Sequence, residues 1–168
     1  MSLTVSLAVP RRWSTRDAPA PGVVVLARAP AATRAGFTPE LTVRTCPVEG
    51  ATSLVEWRAT AMAALAGQLV DLEVEDADAF ELEGEPVVYH RFSHRLGGAD
   101  AVGGIDGIDV LCDQWAWLRD GVGVTLTGTV ARADYGDYYD LFEDVAATVE
   151  LVPAATAGSA GGLSERAG

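Results

Sequence analysis

Hydrophobic and polar positions alternate over residues 3–9 (LTVSLAV) until Pro10 ends the run, which predicts a first strand. Residues 22–28 (GVVVLAR) and 40–47 (ELTVRTCP) predict two more, separated by loops rich in Gly, Pro and Ala. The period then changes. Ser53-Leu-Val-Glu56 has capping-box form: the serine accepts from the N–H of Glu56, and the glutamate reaches back to the cap. The helix opened there is expected to run to about Gln68, with Leu54, Ala61, Met62, Leu65 and Leu69 on one face. Arg58 falls in the middle of that apolar arc. It either snorkels along its stem to water or meets a buried carboxylate from the sheet. From Asp71 the chain is extended again, with Asp71, Glu73 and Glu75 alternating with Leu72 and Val74 as in a half-solvated strand.

The second half reads as a run of hairpins. Glu83-Gly84 and Asp120-Gly121 are turn dipeptides, and strands are expected at 86–96, 108–119 and 122–131. A second helix is expected over about 137–149, where Tyr138, Leu141, Phe142, Val145 and Val149 recur at helical spacing. A two-residue turn at Asp120-Gly121 pairs Arg119 with Val122, Trp117 with Val124, Trp115 with Leu126 and Leu111 with Val130. Pairing Leu96 with Ile108 sets Tyr89 by Trp115, Val87 by Trp117, Arg91 by Asp113 and Arg95 by Asp109. Aromatic and opposite-charge pairs across strands contribute about 0.2–1 kcal/mol each, and here they agree. One sheet face is then large and apolar: Val87, Tyr89, Leu111, Trp115, Trp117, Val124, Leu126 and Val130. The other carries His90, His94, Gln114, Thr125, Thr127 and Thr129, with Phe92 and Cys112 among them. Both helices are expected on the apolar face, making an α+β domain with an antiparallel sheet of about seven strands. Residues 1–152 form that single domain, and 153–168 (PAATAGSAGGLSERAG) a flexible tail with too little apolar surface to hold itself down.

Composition narrows the function classes. The 168 residues are 49% hydrophobic, enough for one core. Twelve arginines and no lysine face 24 acidic residues, a net charge of −12. A surface this acidic repels phosphate backbones and anionic lipid, so neither nucleic acid nor a membrane is expected as partner. No apolar run approaches the ~20 residues a membrane helix needs. The N-terminal segment lacks the parts of an export signal, and Cys46 and Cys112 lack CxxC spacing, so a reduced, cytoplasmic protein is expected.

Few reactive groups stand in arrangements that chemistry could use. His90 and His94 share a strand face but stand roughly 13 Å apart along it, too far for a shared zinc, and are read as face residues. Asp100, Asp106 and Asp109 in the GGADAVGGIDG loop fit no calcium-loop spacing. The loop also lacks the Gly-Lys-Ser/Thr of a phosphate loop. Neither cysteine sits in a catalytic signature, and there is no GxSxG. No catalytic residue, metal or cofactor is expected.

The order strand–strand–strand–helix–four strands–helix carries a resemblance, together with four segments. They are GFTPELTV (36–43), GEPVVYHRF (84–92), CDQWAWLRDGVGVTLTGT (112–129) and the closing YYDLFEDVAATVEL (138–151). Residues 3–151 resemble the PsbP-like α/β/α-sandwich superfamily, nearest to LpqN-like actinobacterial proteins and the DcrB-like and secretion-effector chaperone branches. Members are mainly binding modules, among them photosystem subunits, a nuclear-import factor that grips a small GTPase, and effector chaperones. The resemblance implies binding without catalysis, although the chain lacks the export signal and lipidated cysteine of the lipoprotein members. The expected function is therefore a non-catalytic protein-binding module, an adaptor or chaperone that is secretion-linked, with a homodimer compatible. The alternative is a small-ligand-binding protein or hydrolase with a pocket at the sheet–helix junction. For the first, the partner face is His90, Phe92, Gln114, Thr125, Thr127 and Thr129, polar enough to be solvated alone and apolar enough to be covered. That face is otherwise simply wet, or closed by a further layer such as the N-terminal segment.

Overall fold

A computed structural model of the chain describes residues 3–97 and 107–153. Asp100, Asp106 and residues 154–168 of the expected tail lie outside the described residues. The strands are β1 (Leu3–Ser6), β2 (Ser14–Ala20), β3 (Val23–Arg28), β4 (Glu40–Pro47), β5 (Val70–Leu82), β6 (Glu85–Leu96), β7 (Ile108–Arg119), β8 (Val122–Ala131) and β9 (Glu150–Pro153). Helix α1 covers Leu54–Gln68 and α2 covers Tyr139–Ala146, the latter preceded by a 3-10 helix over Arg132–Asp137. Strands β2 to β8 form one antiparallel sheet in the order β2-β3-β4-β8-β7-β6-β5, while β1 and β9 make a separate two-stranded ribbon.

The hairpin registers are those expected. Arg119 pairs with Val122, Trp115 with Leu126, Gln114 with Thr127 and Cys112 with Thr129. Leu96 pairs with Ile108, and Tyr89 with Trp115; the ladder stops at Val88–Ala116, one pair short of Val87–Trp117. Both turn dipeptides have positive φ at each residue, 49° and 82° at Glu83-Gly84 and 50° and 74° at Asp120-Gly121. That left-handed pair of residues matches the twist of the flanking strands. The paired charges meet, Arg91 with Asp113 at 3.3 Å and Arg95 with Asp109 at 3.1 Å.

Three expectations are corrected. The main sheet has seven strands, but not the expected seven. Residues 3–6 leave it to pair with β9, and Ser14–Ala20 takes the place at the edge. That segment (STRDAPA) has no alternation to betray it, because only Pro19 along it is even partly buried. Backbone pairing to β3 holds it, with a bulge between Asp17 and Ala20 around the positive φ of Ala18. The second helix is shorter than 137–149: it starts at Tyr139, after a 3-10 helix over Arg132–Asp137, and ends at Ala146, ahead of β9 at Glu150–Pro153.

The third correction concerns the layers. Only α2 covers the apolar face, where Phe142, Val145 and Ala146 join Val87, Trp115, Trp117, Val124, Leu126 and Val130 in the main core. The β1–β9 ribbon completes that layer through Leu3, Val5 and Leu151. Helix α1 lies on the opposite face, over β5, β6 and β7, where Met62 packs with Phe92 and Cys112 in a smaller cluster. Phe92 and Cys112 give that face enough apolar surface to hold Met62 of α1, although threonines make up much of the rest of it. The result is helix on sheet on helix.

Candidate functional site

Helix α1 is fixed at its start by the expected capping box. Ser53 Oγ accepts from the Glu56 N–H at 3.2 Å, and Glu56 Oε2 accepts from the Ser53 N–H at 2.9 Å. Glu56 Oε2, accepting from the Ser53 N–H and at 2.8 Å from the Ser53 hydroxyl, is held below the usual carboxylate range by those two bonds. One face of α1 then presents Trp57, Arg58, Ala61, Met62 and Leu65 to the sheet. Trp57 reaches across to β8, where it rests on Gly123: a Cβ there would stand 2.4 Å from Trp57 Cζ2.

Arg58 does neither thing expected of it. The residue is 3% exposed, so it does not snorkel, and no ion pair among the described residues involves it. Its Nη2 donates to Gln114 Oε1 and lies 3.7 Å from Met62 Sδ, and its guanidinium carbon stands 4.8 Å from the centroid of the Trp57 ring. Gln114 Nε2 in turn donates to Thr127 Oγ1 at 2.9 Å. The chain Arg58–Gln114–Thr127 thus spans from helix to sheet, yet it supplies only dipoles and a π-face to a full positive charge. Arg58 Nε has no hydrogen-bond partner among the described residues. Burial accordingly holds the guanidinium below its ordinary pKa.

Beside this chain lies a cavity of about 490 Å³ between α1 and the sheet. Its floor follows from register: Thr129, Thr127 and Thr125 of β8 stand beside Glu40, Thr42 and Arg44 of β4. Phe92, Leu65, Leu69 and Trp57 supply apolar wall. His94 also lines it, buried, with Nδ1 unpartnered. Burial holds His94 below its usual pKa, and burial together with the Arg58 charge does the same for His90. The Cys112 thiol on the wall is pushed up to about 12 by burial, and its Sγ stands 3.5 Å from Thr129 Oγ1. No group of three or more His, Cys, Asp or Glu among the described residues is placed to hold a metal ion.

The architecture can be set beside known structures. No protein-family model and no curated protein matches the chain. Solved structures do. LpqN, involved in cell envelope biogenesis of Mycobacterium tuberculosis, superposes with a TM-score of 0.64 at 15% identity, over 90% of this chain and 85% of that one. CyanoP, the cyanobacterial PsbP of Synechocystis sp. PCC 6803, gives 0.55 at 20% identity, over 90% and 93%. The fold is PsbP-like. PA94 of Pseudomonas aeruginosa, a candidate regulator of unknown function, shares it with a TM-score of 0.63 at 16% identity, over 90% of this chain and 99% of that one. At these identities the likeness extends to the PsbP-like fold and no further. No helix among the described residues is long and apolar enough to cross a membrane.

On this PsbP-like frame the six expected partner residues separate. Phe92, Gln114, Thr125, Thr127 and Thr129 all line the cavity, whereas His90, half-buried, is not part of its wall. The face they share is not open, because α1 lies over its β5–β7 side. Sequence reasoning missed Glu40, Thr42, Arg44 and Trp57. A signal existed for the first three: in a strand at 40–47, positions 40, 42 and 44 share one face, and pairing that strand with 122–131 would have added them to the threonines.

Proposed function

We propose that this PsbP-like chain is a non-catalytic binding module whose binding element is the cavity between α1 and the sheet, and that it takes a small molecule there. The supporting observation is the cavity itself: about 490 Å³, within the roughly 300–1,000 Å³ of small-molecule sites, with an apolar wall of Trp57, Leu65, Leu69 and Phe92 facing a polar floor of threonines and charged side chains. A partner docking flat on the His90–Thr129 face would find α1 in its way. The non-catalytic reading rests on how the reactive groups are engaged. Thr127 is bonded to Gln114 and Thr129 to Cys112, so neither hydroxyl is held by a base, and the thiol is far from ionised at neutral pH.

The test fills the space. Ala61, half-buried on the cavity wall, is replaced by Phe, and ligand-observed NMR is run with a library of small organic acids, amides and alcohols. Wild type should give binders that Ala61→Phe loses while its melting temperature is kept. Binders that survive in Ala61→Phe would place the site elsewhere, and no binders at all would refute the reading.

A further inference from the structure

We infer that the ligand of this cavity is an organic carboxylate, and that Arg58 is the residue that recognises it. The inference rests on the binding reading above and adds the chemical class of the ligand. It starts from an imbalance. A charged group taken out of water is ordinarily paired with an opposite charge, because neutral dipoles recover only part of the lost hydration. Arg58 is 3% exposed, faces the cavity and has no carboxylate partner among the described residues. Two of its neighbours, Gln114 and Met62, meet a single nitrogen, Nη2, and leave Nε unpartnered.

The rest of the wall carries the same sign. Arg44, an exposed residue, lines the cavity and takes part in no ion pair among the described residues. Glu40, the acidic side chain on the wall, is already bound by Arg28 at 3.3 Å. A chain with net charge −12 therefore keeps a cavity whose unneutralised charges are positive. An anion from outside is the complement of that charge. The planar guanidinium matches a carboxylate with two parallel N–H···O bonds. Phe92, Leu65 and Leu69 beside it then favour a carboxylate carrying an apolar body over a bare inorganic anion.

The experiment compares benzoate and octanoate with benzamide and octanamide, which keep the shape and lose the charge, and with inorganic phosphate. Binding is read by calorimetry on wild type, Arg58→Met and Arg44→Gln. Wild type should prefer each carboxylate over its amide by about tenfold or more, the worth of a charged hydrogen-bond pair. In Arg58→Met that preference should vanish while amide binding persists; in Arg44→Gln most of it should remain. A second reading needs no variant: the Arg58 Nε–H resonance of wild type should shift on adding benzoate and stay still with benzamide. Equal binding of acid and amide to wild type would overturn the carboxylate inference and leave the cavity reading standing. Absence of binding by every organic probe would overturn both. Phosphate binding as tightly as benzoate would overturn the preference for a carboxylate with an apolar body, and a preference unchanged in Arg58→Met would overturn the assignment to Arg58.

Discussion

Replacing Gly128 by alanine tests how the apolar layer is built. Gly128 sits in β8, paired with Leu41 on one side and Asp113 on the other, and Phe142 of α2 presses its ring against the glycine. An added Cβ would stand 2.6 Å from Phe142 Cγ and 2.7 and 2.8 Å from the two Cδ atoms, a full ångström inside ordinary contact. Phe142 is 0% exposed, so its ring has nowhere to swing, and α2 must lift instead. Overpacking of this kind costs about 1–3 kcal/mol. Gly128 lacks the positive φ that would strain alanine, so the variant also gains about 0.4–1 kcal/mol from its less disordered unfolded chain. The net loss is roughly 0–2.6 kcal/mol, or up to about 10 °C in melting temperature for a chain of this length. The decisive measurement is the same change in a Phe142→Ala background, itself costing about 3–5 kcal/mol. With the ring gone only the unfolded-state term survives, so Gly128→Ala should become stabilising. Urea denaturation of the four proteins reads both differences. The same loss in the two backgrounds would show that the ring does not rest on Gly128.

Two further outcomes concern titrating groups. Asp113 is 1% exposed on the apolar face and accepts from Tyr89 Oη at 2.5 Å and Tyr135 Oη at 3.2 Å, beside Arg91. Burial and that carboxylate push both phenols well above the usual value of 10, so absorbance at 295 nm should show Tyr89 and Tyr135 ionising only with alkaline unfolding, and Asp113→Asn should cost about 1–3 kcal/mol. His90 and His94 are both held below 6.5 by burial, His90 also by Arg58, so below pH 6.5 the unfolded chain binds more protons than the folded one. Stability is full above about pH 6.5 and is lost as pH falls below it; urea midpoints from pH 8 to 5 should decline in wild type and decline less in the His90→Gln, His94→Gln double variant.

How far the fold was legible depended on whether an element carries its instructions locally. The capping box at Ser53 and the two turn dipeptides each determine their own geometry, and α1, β6, β7 and β8 follow within a residue or two. Strand β2 carries none: its residues are solvated on both sides and Pro19 interrupts it, so only the neighbouring β3 tells it to be a strand. The departure of residues 3–6 to β9 is a contact between the two ends of the domain, which no local pattern encodes.

The cavity was half legible, and the missing half explains why it exists. Alternation separated large side chains from threonines, and it placed Arg58 among the apolar positions of α1. What it did not show was that α1 goes to the threonine face. Once there, the helix is centred over β5 to β7, where Phe92 and Cys112 fill the space beneath Met62. Over β8 and β4 the sheet offers Thr125, Thr127, Thr129 and Thr42, flanked by Glu40 and Arg44, and the threonines are too short to fill the space to Ala61 and Ala64 of the helix. Small residues face small residues there, while Trp57 on Gly123 props one end of α1 against the sheet. A gap between short side chains would cost a core about 1 kcal/mol per missing methyl if it were apolar and dry. Lined instead with hydroxyls and an unneutralised guanidinium, it is a volume that stability alone would have filled with leucine. An open volume beside a charge held out of water is a combination that core packing disfavours, and the proposed binding reading rests on it.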